Sequence, residues 1–409
     1  MTIGRRQLIG SCGALFAWPF VALEAGRAAA PALRLTRVEL LPVRATSRTV
    51  WLVVRLHTDT GLTGLGEASD AFGFANTTAA NADMMRSRLQ TFFELVRGAS
   101  PLDVERYRQR GMPMVKGDLV SATAFSAIEQ AMWDLAGQAL GVPTYTLFGG
   151  KVRDSLRIYA NINRATNPRT PDGFAAAARR AVGDKFLAVK AAPFDGFPPP
   201  GSPTREIEAA VDAGLAAVVA MREAVGADID IMIDCHSFFD VERAVSVARR
   251  LEPQRLTWYE EPVAPERVDE TLAIKNRIRQ PMSGGEVLFG VAGFAPLVQR
   301  HAVDVIMPDV KHGGGLMEVT RIAAIADAAG VMVSPHNPSG PISMAASVQV
   351  AAGMRNFNVL ELQYAEVPWR SELLTPPERF VNGQIAVPDR PGFGITLNDD
   401  AVRRRALPL

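Results

Sequence analysis

The sequence predicts an α/β protein whose larger part is a (β/α)8-like barrel, preceded by a smaller α+β domain. Three observations point there. Between residues 33 and 150 an alternating apolar pattern gives way to helical spacing. Beyond residue 150, short apolar runs alternate with amphipathic stretches, in the rhythm of repeated strand and helix. Acidic or His residues then recur at the ends of successive runs with a nearly constant step.

Residues 1–30 differ from the rest. Arg5 and Arg6 precede a largely apolar run from Leu8 to Leu23 and then Ala28, Ala29 and Ala30, the order of an export signal. The paired arginines before Gln7-Leu8-Ile9 resemble a twin-arginine signal, which predicts a periplasmic location, the alternative being cytoplasmic. A membrane anchor is disfavoured, because Pro19 and Glu24 interrupt a run already short of the ~20 apolar residues that a span needs. Only Cys12 and Cys235 are present, so a mature chain without Cys12 forms no internal disulfide, in keeping with folding before export.

The first domain, residues 33–150, begins with strand patterns over Leu33 to Val43, Val50 to His57 and Gly64 to Ala68, with Thr58-Asp59-Thr60-Gly61 as a hairpin turn. Helical spacing follows at Asn81 to Val96 and Val120 to Leu140. In residues 151–380, strands are predicted at Arg157 to Asn163, Phe186 to Ala191, Ile229 to Asp234, Thr257 to Glu260, Pro281 to Glu286, Val303 to Pro308, Val331 to Pro335 and Asn358 to Glu361. Pro198 to Pro203 is a low-complexity loop after the second of these. Residues 381–409, with Pro388, Pro391 and Gly392, are expected to return to the first domain.

Charge bounds the partners. Lys plus Arg (44) nearly cancels Asp plus Glu (43), so there is no global bias toward nucleic acid or anionic lipid, and a small molecule is the expected partner. The chemistry sits in Asp234, Glu260, Glu286, Asp309, His336 and Glu361, separated by 26, 26, 23, 27 and 25 residues. That step is about one strand plus one helix, so all six emerge at the C-terminal rim of the barrel, where such folds place catalysis. Three carboxylates converging without Cys or His make an oxygen-rich site for a hard cation, with Mg2+ the expected metal. The other explanation is that they pair with Lys or Arg at strand ends. Glu260-Glu261-Pro262 weighs against it, since adjacent acids there are costly without a nearby cation.

Ile233-Asp234-Cys235-His236, Trp258-Tyr259-Glu260-Glu261-Pro262, Gly285-Glu286 and Met307-Pro308-Asp309 together resemble the barrel motifs of the enolase superfamily, in its mandelate racemase/muconate lactonizing enzyme group. The resemblance runs from about Leu33 to the C-terminus. It implies a (β/α)7-8 modified TIM barrel with an N-terminal α+β capping domain, a homo-oligomer, and Mg2+ held by Asp234, Glu260 and Glu286. It also implies that superfamily's chemistry, a Lys or His base with Mg2+ stabilising an enediolate. The loops after Val43 and Glu67 are expected to close over the barrel and select the substrate.

His336 follows Asp309 by one strand unit, so an Asp-His pair can form in which the Asp orients the imidazole and supports its charge. This resembles the family's His-Asp dyad. Lys190, in Val189-Lys190-Ala191-Ala192, matches the first residue of the racemases' Lys-x-Lys, but Ala192 stands in place of the second and cannot carry a proton. Two-base racemisation is therefore disfavoured. Lys190 either contacts the substrate carboxylate or a metal ligand, or forms a core salt bridge. His236 lies two residues beyond Asp234 and projects on the same face. Its spacing resembles the galactonate and mannonate dehydratases, where that His protonates the departing β-hydroxyl; the alternative is a hydrogen-bonding role behind the metal ligands.

Glu361 resembles a strand-eight acid that donates to a substrate oxygen, or forms an ordinary ion pair. His312 resembles a position lining the pocket, and Asn161 and Asn163 either contact substrate hydroxyls or cap strand ends. The leading reading is a Mg2+-dependent dehydratase acting on an aldonic or aldaric sugar acid, giving a 2-keto-3-deoxy acid. The alternative is epimerisation or lactone cycloisomerisation. A hydrolase of the amidohydrolase type would need paired His where Asn161-Ile162-Asn163 stands, and a solute-binding protein has no use for a metal triad beside an Asp-His pair.

Overall fold

The computed structural model describes residues 33–73 and 77–407; the export-signal expectation on residues 1–30 lies outside them. The chain opens with an antiparallel sheet in the order β1 (Leu35–Arg44), β2 (Val50–Thr58), β3 (Thr63–Glu67). The turn between β2 and β3 is closed by the Gly61 N–H to Thr58 O, and Gly61 holds φ +84°, a region open to a residue without Cβ. Three helices follow, α1 (Ala79–Phe93), α2 (Val104–Gly111) and α3 (Leu119–Leu140). The sequence reading has no counterpart of α2, because Val-Glu-Arg-Tyr-Arg-Gln-Arg-Gly shows no apolar stripe; Tyr107 and Arg108 are nevertheless buried. Helix α3 lies directly on β3 because Gly64 and Gly66 carry no side chain. A Cβ added at either would fall 2.2 Å from Ala131 O or 2.1 Å from Ala127 O. Leu52, Val54, Leu56, Phe92, Phe125 and Ile128 form the core between sheet and helices.

Eight strands then alternate with helices: β4 (Ser155–Asn161), α4 (Pro171–Gly183), β5 (Ala188–Ala191), α5 (Thr204–Val225), β6 (Asp230–Asp234), α6 (Val241–Arg250), β7 (Trp258–Glu260), α7 (Val268–Lys275), β8 (Met282–Gly284), α8 (Gly290–Gln299), β9 (Val305–Ile306), α9 (Gly315–Ala328), β10 (Met332–Val333), α10 (Pro341–Ala351) and β11 (Leu360–Gln363). Each strand pairs in parallel with the next from β4 to β10. β11 pairs with β4, and the Asn358 N–H donates to Val333 O, so the ring closes as a modified TIM barrel behind the capping domain. Several strands are shorter than their apolar runs, Pro281 to Glu286 and Val303 to Pro308 among them. Met307 and Pro308 stay buried beyond β9, whereas Pro281 is exposed and Glu286 half-buried outside β8.

Alternation along each strand decides what enters the barrel. Ile231 and Ile233 face the helices, while Met232 joins Tyr159, Ala188, Trp258, Val305, Met307 and Val359 in an apolar layer inside the ring. Two residues further along the same inward phase stand Asn161, Lys190, Asp234, Glu260, Asp309 and Glu361, so the polar site is built one layer above an apolar floor. Residues 381–407 divide their contacts. Gln384–Ala386 pairs antiparallel with β4, whereas the Arg44 N–H bonds to Arg405 O and the Leu407 N–H to Pro42 O in the first domain. No helix among the described residues is long and apolar enough to cross a membrane.

Candidate active site

Asp234, Glu260 and Glu286 come from the ends of β6 and β7 and from the turn after β8, and one carboxylate oxygen from each lies within 4.8 Å of the others. Glu260 is fixed from behind: Trp258 Nε1 donates to its Oε2 (2.8 Å) and Lys190 Nζ to its Oε1 (2.9 Å). Glu286 Oε2 is buried and makes no hydrogen bond, although His336 Nε2 lies 3.2 Å away. Burial, followed by the facing charge of Asp234, pushes Glu260 well above the ordinary carboxylate range. Burial and Glu286 raise Glu261 to about 8. A crowded set of hard oxygen donors, one of them with an unmet acceptor, fits a divalent cation such as Mg2+.

Glu261 does a different task from its neighbour. Its Oε1 accepts the N–H of Gly285 (2.6 Å) and of Glu286 (3.3 Å), so the second Glu of the motif anchors the turn that carries the third carboxylate.

His336 stands three residues beyond β10 with Nδ1 2.8 Å from Asp309 Oδ2. Burial disfavours its charge, but Glu286, Glu361 and Asp309 outweigh burial and raise it to about 9. Lys311, fully buried, donates from Nζ to the same Asp309 oxygen (2.5 Å), a partner the sequence reading missed. His236 follows β6 with φ +43°; its Nδ1 is 2.6 Å from Asp195 Oδ1 and its Nε2 3.1 Å from Asp234 Oδ2. Asp195 was also missed. It lies four residues beyond β5 in an irregular turn, where strand phase predicts nothing. β6 and β10 are third and seventh of the eight strands in ring order, so the two His-carboxylate pairs face each other across the barrel mouth.

Lys190 is not free. Besides Glu260 it reaches Glu361 Oε1 (3.1 Å) and Asp234 Oδ2 (3.7 Å), so it is a counter-charge beneath two proposed metal ligands and the strand-eight acid. Glu361 is saturated: it also accepts from Asn161 Nδ2 (2.7 Å) and from the Asn337 N–H (3.0 Å). Asn163 Nδ2 donates to Asp195 Oδ2 (2.8 Å), which ties the β4 end to the His236 pair. His312 has its Nδ1 2.8 Å from Thr123 Oγ1 of the capping domain, and burial pushes it down to about 4.

A cavity of about 160 Å³ opens over these groups, lined by Asn161, Asn163, Lys190, Asp234, His236, Glu286, His312 and His336. Its roof comes from the first domain: Arg48, Thr49 and Val50 from the β1–β2 connection, and Asp70, Phe72 and Gly73 from the segment after β3. Arg164 locks that roof down, donating to Asp70 Oδ1 (3.0 Å), Glu366 Oε1 (3.2 Å) and Pro338 O (2.9 Å).

The C-terminal rim of the barrel thus brings together a carboxylate triad that could hold a metal ion and two His-carboxylate pairs. The family model described as the mandelate racemase/muconate lactonizing enzyme N-terminal domain matches residues 34–149, and the one described as enolase C-terminal domain-like matches residues 173–401; the chain belongs to this family of the enolase superfamily. It is 34% identical to D-xylonate dehydratase of Haloferax volcanii over 363 residues, 86% of this chain and 84% of that one. It is 32% identical to D-galactarolactone cycloisomerase of Agrobacterium fabrum over 300 residues, 71% of this chain and 75% of that one. The solved mandelate racemase/muconate lactonizing enzyme structure from Jannaschia sp. CCS1 superposes with a TM-score of 0.80 at 29% identity, covering 92% of this chain and 98% of that one.

Proposed function

We propose that the chain is a Mg2+-dependent dehydratase of an aldonic or aldaric sugar acid, removing the proton α to the carboxylate and expelling the β-hydroxyl to give a 2-keto-3-deoxy acid. The observation that carries this is the pair of His-carboxylate units facing each other across one carboxylate triad. Asp234, Glu260 and Glu286 would hold the cation, which when bound would supply positive charge to offset the negative charge that builds as the α-proton leaves. His336 Nε2 takes that proton while Asp309 holds Nδ1. His236, oriented by Asp195 at Nδ1, gives a proton from Nε2 to the departing hydroxyl. One base and one acid on opposite sides suit an elimination; a racemase needs two carriers of similar kind, and Lys190 is held among three carboxylates with Ala192 beyond it. The relative named as a dehydratase aligns over more of the chain than the one named as a cycloisomerase.

The test is to incubate the Mg2+-loaded protein with a panel of sugar acids in D2O and follow α-protons and keto products by NMR. Water loss to a 2-keto-3-deoxy acid is the expected result. Deuterium at the α-carbon without water loss on every acid of the panel would replace the dehydratase reading with epimerisation or cycloisomerisation. We also propose export in folded form to the periplasm, supported by Arg5-Arg6 ahead of the apolar run and by Cys235 being a buried free thiol.

A further inference from the structure

The cations around the cavity are not equivalent. Lys190 is committed to Glu260, Glu361 and Asp234, and Arg164 to Asp70 and Glu366. Arg169 donates to Ala192 O (2.6 Å), to Asn163 O (3.0 Å) and to Asp195 Oδ2 (3.3 Å), a carboxylate already engaged by His236 and Asn163. Arg48 alone among these has no carboxylate within ion-pair distance among the described residues, although it lines both the reaction cavity and the adjoining cleft that reaches Arg169.

The turn that presents Arg48 is built. Thr46 Oγ1 accepts the N–H of Arg48 (3.1 Å) and of Thr49 (2.9 Å), and Thr49 O accepts the N–H of Ala45 and of Thr46. These bonds fix the backbone of the turn, and the exposed Arg48 side chain reaches the cavity from it. Burial disfavours the charge on Arg169, Asp195 opposes that, and the nearby charge of Arg48 disfavours it further. Arg169 leans on an Asp195 carboxylate that His236 and Asn163 also engage, and Arg48 has no carboxylate partner among the described residues, so about one positive charge is uncompensated at the end of the cavity away from the barrel floor.

We propose that this charge reads a second anionic group on the substrate, so that the dehydratase site takes an aldaric diacid, with its distal carboxylate on Arg48, in preference to an aldonic monoacid. The inference rests on the sugar-acid reading above and narrows it. A guanidinium binds a carboxylate through two parallel N–H donors, which an uncharged terminal CH2OH cannot match.

The test compares a hexaric acid with the hexonic acid of the same configuration, on wild type, Arg48→Met and Arg48→Lys. Wild type is expected to favour the diacid in kcat/KM by about tenfold or more, as a charge-assisted contact supplies. Arg48→Met should lower kcat/KM for the diacid about tenfold more than for the monoacid, mainly through KM, and Arg48→Lys should recover part of the difference. Equal losses on both acids, or a wild type that prefers the monoacid, would overturn the proposal. Calorimetric titration of both acids into Mg2+-loaded His336→Asn gives a readout that needs no chemistry. If wild type turns over neither acid but the diacid binds more tightly in an Arg48-dependent way, the dehydratase reading falls and the distal-anion subsite stands. If that titration shows no Arg48-dependent preference, the subsite falls whatever the turnover.

Discussion

Lys311 Nζ and His336 Nδ1 share a single acceptor, Oδ2 of Asp309, at 2.5 and 2.8 Å. Burial pushes Asp309 up, but Lys311, His312 and His336 together hold it well below the usual carboxylate range. It is thus a fixed anion that orients the imidazole. The Asp309→Asn substitution offers an amide where Lys311 and His336 each need an anion, and it leaves the metal ligands in place. We expect α-proton exchange to fall by about 10²- to 10⁴-fold with Mg2+ affinity unchanged, read by D2O NMR and by titration of the metal. Exchange within a few-fold of wild type would remove Asp309 from the base pair.

The opposite pair separates the two half-reactions. His336→Asn should abolish α-proton exchange and with it all product. His236→Asn should stop water loss while exchange continues, because the proton on that side is needed only for the leaving hydroxyl. Asp195→Asn should follow His236→Asn, with loss of water slowed about 10- to 100-fold and exchange retained, since it is through the His236 Nδ1 contact at 2.6 Å that Asp195 reaches the proton-carrying groups. A loss of exchange equal to the loss of dehydration in Asp195→Asn would show a merely structural role for that carboxylate.

How far the site was legible follows from strand phase. Asp234, Glu260, Asp309 and Glu361 lie on the inward parity of barrel strands, so a period of two and a step of about one strand plus one helix place them at one rim. Asp195, Arg48 and Arg164 could not be found that way. They sit on turns, where side-chain direction is set by local hydrogen bonds such as those of Thr46, and no periodicity reports it. Lys311 stood two residues beyond Asp309 in plain view, but its pairing back onto that Asp depends on the bend after β9. Lys190 illustrates the converse: its position on the strand was clear, yet only the convergence of Glu260, Glu361 and Asp234 shows that it is spent as a counter-charge. Helix α2 was hidden because its charged residues outnumber the few apolar ones that pack.

The carboxylate crowding makes a thermodynamic prediction for metal. Asp234, Glu260 and Glu286 converge within 4.8 Å, and among the described residues only Lys190 and the two histidines pair with them to offset their charge. A cation that binds only the folded chain stabilises it by mass action, by about 2.7 kcal/mol at a hundred times its Kd. Denaturant midpoints should therefore rise with Mg2+ and fall back on adding a chelator. Glu286→Gln, which removes the charge of the least hydrogen-bonded ligand, should abolish most of that response while raising stability without metal. A Mg2+ response of the same size in Glu286→Gln would exclude this carboxylate as a ligand.

His312 predicts a dependence of stability on pH that is separable from the chemistry. Its imidazole is buried against Thr123, and burial, aided by Lys311 and His336 against the opposing pull of Asp309, pushes it down from 6.5 to about 4. Between those values the unfolded chain takes a proton at this position and the folded chain does not. The stability it contributes is thus present above pH 6.5 and is lost as pH falls toward 4, reaching about 2 kcal/mol by pH 5. In His312→Asn that loss disappears. With EDTA present, so that metal binding does not titrate in parallel, the drop in unfolding free energy between pH 7 and pH 5 should be about 2 kcal/mol smaller in the variant than in wild type. Parallel slopes for the two proteins over that interval would mean that His312 takes up its proton in the folded state, and that it meets the cavity as a cation.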